Sequence, residues 1–270
     1  MGILIGTQGW NYPAWVGPFY PPGTRAAEFL ATYARMFRGV EVDSTFYAVP
    51  DVRAVRSWAS RTPPDFTFAL KMPKAITHEL RLRNAHDAVA DFLDRARELG
   101  PKLGPILLQM GPDFGADELP AVEQFLPQLP RDLQFAIELR DSRWTKPTVV
   151  PILLEALTAH GVALALTDAR WIARETMLSL LERPTAAFHY VRWLGPDRAI
   201  VDYSQLQFDR SAEIAAWAEA LKLAAHTKEI YGFFNNHYAG HSPANARQMQ
   251  RLLGQQPVEP ETLRVQRSLF

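Results

Sequence analysis

Val40-Glu41-Val42-Asp43 is the stretch that decides the fold. Successive side chains of a β-strand point to opposite faces, so Glu41 and Asp43 share one face while Val40 and Val42 take the other. Two further stretches repeat the pattern. In Thr67 to Met72, the residues Phe68, Leu70 and Met72 alternate with Thr67, Ala69 and Lys71; in Gln134 to Arg140, the residues Phe135, Ile137 and Leu139 alternate with Ala136, Glu138 and Arg140. A parallel sheet covered by helices on both faces reads as nearly continuous apolar runs, so charge on one face of three strands calls for a different burial. A barrel supplies it: the apolar face meets the outer helices and the other face points inward, with the charges paired or wetted at an open mouth.

Outward from these stretches, short apolar runs alternate with longer amphipathic ones along the whole chain, as in repeated βα units. Eight strands are expected, at Ile3 to Gln8, Val40 to Phe46, Thr67 to Met72, Pro105 to Met110, Gln134 to Arg140, Ala163 to Asp168, Ala187 to Trp193 and Ile230 to Asn235. The helical segments between them are Arg25 to Phe37, Asp51 to Ser60, Asn84 to Leu99, Asp117 to Leu126, Thr148 to His160, Arg170 to Leu181, Ser211 to Ala224 and Pro243 to Leu253, with Asn84 and Ser211 as N-caps and Gly161 as a C-terminal glycine. No linker or low-complexity tract divides the 270 residues, which suit one (β/α)8, TIM-barrel-like domain over residues 1–270. The alternative is a doubly wound open parallel sheet, weakened by the lack of a G-x-G-x-x-G after the first strand.

Composition removes several function classes. The chain has no cysteine, which excludes disulfides, thiolate zinc sites and a catalytic thiol. Its amino terminus, Met1-Gly2-Ile3-Leu4-Ile5, has no basic region followed by a signal-length apolar run, and no stretch reaches the roughly 20 apolar residues that span a bilayer, so the expectation is a soluble, cytoplasmic protein without a membrane partner. Lys plus Arg and Asp plus Glu both number 29, so anion preference has to come from a local patch.

Such a patch is expected at the C-terminal strand ends, where barrel enzymes assemble their sites. Glu41, Asp43, Lys71 and Glu138 are the candidate catalytic groups: a glutamate as general acid or base, Lys71 as its ion-pair partner and anion holder. Arg140 and Arg192 would clamp the substrate, with Asp168 and Asn236 orienting it. Gln8, Gln109, Arg170, His189, Asn235 and His237 crowd the same rim, and Trp10, Tyr12, Trp144 and Trp171 offer flat rings to a ring-containing ligand. Each aromatic taken singly also fits a loop-anchoring role in the core.

Ordered motifs carry a family resemblance as well. Gly6-Thr7-Gln8-Gly9-Trp10-Asn11-Tyr12 with Trp15, then Phe19-Tyr20-Pro21-Pro22, Val40 to Tyr47, Phe68 to His78, Ala136 to Trp144 and Tyr231 to His237 together resemble the domain-of-unknown-function family 72, also called YecE-like, over nearly the full chain. The resemblance implies a TIM-barrel-like fold and no particular reaction. Its motif residues, carried onto this chain, are Glu41, Asp43, Lys71, His78, Glu138, Arg140, Asp141, Trp144 and Asn236.

The leading functional expectation is an enzyme acting by acid/base chemistry on a small anionic, ring-containing substrate, a sugar phosphate or nucleotide-like molecule, with no cofactor. One alternative places a divalent metal among Glu138, Asp168, His189 and His237, giving an isomerase or hydrolase. A glycosidase would pair Glu41 with Glu138 across a scissile bond. The non-enzymatic alternative is a module that stacks single-stranded nucleic acid or a nucleotide on the rim aromatics.

Overall fold

The computed structural model describes residues 2–196 and 199–267. All eight expected strands form: β1 (Ile3–Thr7), β2 (Gly39–Val42), β3 (Thr67–Lys71), β4 (Leu103–Gln109), β5 (Phe135–Glu138), β6 (Ala163–Ala169), β7 (Phe188–Gly195) and β8 (Glu229–Phe234). They run parallel in the order β1-β8-β7-β6-β5-β4-β3-β2. The two end strands meet through one parallel bridge, Gln8 with Glu41, where the Gly9 N–H donates to the Glu41 carbonyl at 2.7 Å. The sheet is therefore a nearly closed, TIM-barrel-like cylinder, and the open doubly wound alternative is set aside.

Alternation along the strands sorts the apolar residues into two cores. Val40, Val42, Phe68, Leu70, Phe135, Ile137 and Leu139 belong to a large outer core shared with the helices. Ala69, Leu107, Ala136, Ala163 and Ala165 face inward with Phe188, Tyr190 and Phe233. The small residues of β3, β5 and β6 make room for the large rings of β7 and β8, which plug the cylinder below its mouth.

The β1–β2 seam is closed by a side chain rather than by a full ladder. A Cβ on Gly6 would come within 2.2 Å of the Gly39 carbonyl oxygen, so the backbones approach where no side chain fits between them. The Tyr33 hydroxyl accepts from the Thr7 N–H at 3.0 Å and donates to the Gly39 carbonyl at 3.1 Å. Tyr33 comes from the helix α1 (Phe29–Tyr33) and is fully buried.

The remaining helices are α2 (Val52–Ser60), α3 (His86–Ala96), α4 (Leu119–Phe125), α5 (Val150–His160), α6 (Arg174–Leu181), α7 (Ser211–Ala224), α8 (Ser242–Leu252) and α9 (Pro260–Arg267). Gly161 ends α5 in the left-handed region, at φ 65°, as its position predicts. Two caps differ from expectation. Ser211 is the first helical residue of α7, its N–H bound at 2.9 Å by the Asp209 carboxylate, and Asn84 lies two residues before α3 at φ 50°. The second strand also stops earlier than expected, because Ser44–Phe46 turns into a 3-10 helix. The Thr45 hydroxyl holds that turn against β3, donating to the Lys71 carbonyl at 2.7 Å and accepting from the Lys71 N–H at 3.1 Å.

The seam yields a prediction. Tyr33→Phe keeps the ring but leaves the buried Thr7 N–H and Gly39 carbonyl without partners, so it should cost about 2 kcal/mol in urea-unfolding stability with the far-ultraviolet spectrum unchanged. A variant as stable as wild type would show that the seam does not depend on the hydroxyl.

Candidate functional site

Four charged side chains, Glu41, Glu138, Arg140 and Arg192, meet in the layer above the aromatic plug. Arg192, two residues beyond Tyr190 on β7, crosses the cylinder: its Nε and Nη2 fork the Glu41 carboxylate at 2.8 and 2.6 Å, and Nη1 binds Glu138. The Arg140 Nε takes the second Glu138 oxygen at 2.5 Å, and the Tyr190 hydroxyl donates to Glu41 at 2.8 Å. All four carboxylate oxygens thus have donors, and both glutamates are 0% exposed. Burial alone would raise the Glu138 carboxyl, but the Arg140 and Arg192 guanidiniums hold it at about 2. For Glu41, burial outweighs Arg192 and leaves the carboxyl above its ordinary value, with Asp43 pushing the same way.

A cavity of about 320 Å³ opens above this layer. Of the four expected catalytic groups, Asp43 and Lys71 line it, whereas Glu41 and Glu138 lie beneath its floor. The two glutamates expected as acid or base thus lie below the cavity, with their oxygens bound by Arg192, Arg140 and Tyr190. Lys71 also pairs differently than expected, with Asp43 at 3.5 Å rather than with a glutamate, and its ammonium sits 4.1 Å from the centroid of the Phe46 ring. Burial lowers the Lys71 ammonium below its ordinary value; Asp43 opposes this and Arg192 adds to it.

The far wall is cationic and aromatic. Arg140 lies 4.1 Å over the Trp171 ring, and Arg170 lies 5.6 Å from it. The near wall carries amides: the Asn235 side-chain amide donates to Gln8 at 2.7 Å, and Gln109 from β4 faces them. Leu194, Gly195 and Pro196, which carried no chemical signal in the sequence, complete the lining. Gly195 has φ 83°, and a Cβ there would meet the His237 carbonyl at 2.4 Å, so a glycine is what lets the end of β7 pack on the loop after β8.

Several expected binding residues stand elsewhere. Trp10 and Tyr12 line a neighbouring groove with Trp58 that reaches Asp43 from the other side. Trp10 packs edge-on against Trp58, and Tyr12 donates to the Gln8 carbonyl at 3.0 Å. Trp144 is 1% exposed and donates its indole N–H to the Phe114 carbonyl at 2.7 Å, which makes it a core anchor. Asp141 caps the 3-10 turn Ser142–Thr145 and chelates Arg143. Asp168 faces outward, accepting from Arg174 at 2.9 Å, Trp217 at 3.0 Å and Tyr238 at 3.0 Å. Asn236 accepts from the Ser242 N–H and hydroxyl at 3.1 and 2.8 Å, bracing the start of α8. His78, on the π-helical turn Ala75–Glu79, packs 5.0 Å from Phe46 outside the lining, its ring lowered by burial and by Arg140 and Lys71.

The metal alternative does not assemble. Asp168 and His189 project to the outer face while Glu138 is held inside, and no group of three or more His, Asp or Glu among the described residues is placed to hold a metal ion. Nor is any helix among the described residues long and apolar enough to cross a membrane.

Eight parallel strands in a nearly closed cylinder, with the charged side chains gathered where the strands end, define a TIM-barrel-like α/β protein. The chain belongs to the family described as "Protein of unknown function DUF72", whose model matches residues 4–267. It is 35% identical over 169 residues to the UPF0759 protein YecE of Escherichia coli (strain K12), a match that covers 62% of this chain and spans only 60% of YecE. It is 27% identical to the UPF0759 protein YunF of Bacillus subtilis (strain 168), covering 93% of this chain and 94% of that one. Among solved structures, a DUF72 family protein from Thermotoga maritima MSB8 superposes with a TM-score of 0.75 at 25% identity, over 94% of this chain and 100% of the other.

The floor makes two predictions. Arg192→Met leaves two buried carboxylates without their shared partner and should cost about 3–5 kcal/mol at pH 7, read as a lowered urea midpoint. The Glu138 carboxyl lies at about 2, below its ordinary 4.5, so its contribution is fully present above about pH 4.5 and fades as pH falls through 2. The stability gap between wild type and Glu138→Gln should therefore be widest near neutrality and narrow steadily from pH 4.5 to 2; a gap independent of pH would contradict the assignment.

Proposed function

We propose that this protein is an enzyme that binds a small, ring-containing substrate bearing a phosphate or carboxylate and acts on it by acid/base chemistry between Asp43 and Lys71. One observation carries the reading: Lys71, Arg140, Arg170 and Arg192 line the cavity against a single carboxylate, Asp43, because Glu41 and Glu138 are sealed beneath. Cations gathered around an enclosed space favour an anion, and planar guanidiniums match phosphate and carboxylate oxygens in pairs. Trp171 and the exposed Tyr47 ring, both in the lining, supply flat surface for the rest of the ligand.

The size of the cavity, about 320 Å³, sits at the low end of the roughly 300–1,000 Å³ of small-molecule sites and suits a sugar phosphate or mononucleotide. In this reading Arg140 and Arg170 hold the anion, the Gln8 and Asn235 amides receive the polar end opposite, and the Asp43–Lys71 pair stands between them. No resident metal or cofactor enters the scheme.

A thermal-shift titration tests it. Ribose 5-phosphate or adenosine monophosphate should raise the melting temperature of the wild type where ribose and adenosine do not, and Arg170→Ala should weaken that effect about tenfold, as expected for losing one charge-assisted contact. Equal stabilisation by phosphorylated and unphosphorylated ligands would overturn the anion assignment. A single-stranded oligonucleotide that binds more tightly than either ligand, with affinity falling steeply as salt rises, would favour the nucleic-acid module instead.

A further inference from the structure

We infer that Lys71 is a nucleophilic amine that condenses with an aldehyde or ketone of the substrate, so that the substrate class is an anionic carbonyl compound such as the open-chain form of a sugar phosphate. The inference rests on the proposed substrate pocket and assigns the step that takes place in it.

The placement of Lys71 differs from that of every arginine around it. Arg192 and Arg140 are locked onto carboxylates by hydrogen bonds of 2.5 to 2.8 Å. Lys71, only 7% exposed at the end of β3, still reaches the cavity, and among the described residues its amine has one ion-pair partner, Asp43 at 3.5 Å. Its other side rests on the Phe46 ring. The backbone beneath it is fixed as well, since Thr45 binds both the N–H and the carbonyl of Lys71. Burial and the neighbouring Arg192 lower the ammonium, which raises the fraction present as free amine at neutral pH.

The step balances without an oxidant or reductant. Asp43 first takes a proton from the Lys71 ammonium; the freed lone pair attacks the carbonyl carbon, forming the C–N bond, and Asp43 passes that proton to the carbonyl oxygen. Asp43 then takes a second proton from the nitrogen and gives it to the hydroxyl of the carbinolamine, the C–O bond breaks, water leaves and the C=N bond forms with the last proton still on nitrogen and Asp43 again a carboxylate. The protonated imine draws electrons from the adjacent carbon, which opens that position to proton removal or to carbon–carbon bond cleavage, while Arg140 and Arg170 hold the phosphate or carboxylate.

Pyridoxal 5′-phosphate is a suitable probe because it joins a ring, an aldehyde and a phosphate in one small molecule. The chain contains six lysines, at positions 71, 74, 102, 146, 222 and 228, so the other five are an internal control. The protein is incubated at pH 7 with substoichiometric pyridoxal 5′-phosphate and sodium cyanoborohydride, and the reduced adduct is mapped by peptide mass spectrometry. The expected result is an adduct at least tenfold enriched on Lys71, at least tenfold slower with unphosphorylated pyridoxal, and lost in Lys71→Arg, whose melting temperature verifies that it is folded. Label spread evenly over the six lysines, or no label on Lys71 while ribose 5-phosphate still stabilises the protein, would overturn the imine and leave the anion pocket standing. Absence of any phosphate-dependent stabilisation would overturn the pocket as the substrate site, and the imine with it.

Discussion

The structure depends on one buried cation. Arg192 stands 2% exposed on the barrel axis and joins β7 to β2 and β5, strands that do not neighbour it in the sheet. Removing a glutamate or an arginine from water costs several kcal/mol, and only close pairing with every lone pair and donor used offsets it. The layer meets that condition: Arg192 divides its nitrogens between Glu41 and Glu138, while Tyr190 and Arg140 take the oxygens that remain. A cylinder whose β1–β2 seam is held by one bridge and one tyrosine hydroxyl gains in this way a cross-brace inside it.

That brace also decides which groups face the cavity. Glu41 and Glu138 are held in the saturated layer beneath it, and Asp43 and Lys71 stand one level up in the lining. Asp43 follows Glu41 by two residues and so shares its face, but it lies past the strand end, where the turn held by Thr45 tips it into the open cavity. The make-up of the lining has the same origin. Sealing two of three acids below the floor leaves the basic groups to line the wall.

Several residues of the family motifs turn out to brace the site rather than to face it. Asp141 caps the turn after β5, Asn236 fastens the loop after β8 to the start of α8, and Trp144 anchors the β5 loop to Phe114. Asp168 ties β6 to α6, α7 and the loop after β8 through Arg174, Trp217 and Tyr238. These contacts hold the loops whose ends carry Arg140, Arg170 and His237. A polar residue just beyond a strand satisfies turn backbone as readily as it meets a ligand, and residue type alone does not separate the two uses.

The amino-acid sequence by itself determined the eight strands, the barrel class and the inward direction of Glu41, Lys71 and Glu138, because alternation with period two is a local property that burial enforces along each strand. The same rule orients Asp168 and His189. Asp168 falls in step with Leu164 and Leu166, and His189 out of step with Phe188 and Tyr190, so both were legible as outward. Only the tertiary structure decided which acid met which base. Arg192 finds Glu41 across 151 residues of chain and Glu138 across 54, and no periodicity extends over such separations. The structure also decided where alternation stops having meaning, past the strand ends, where hydrogen bonds to turn backbone place Asp43 in the cavity and Asp141 and Asn236 outside it.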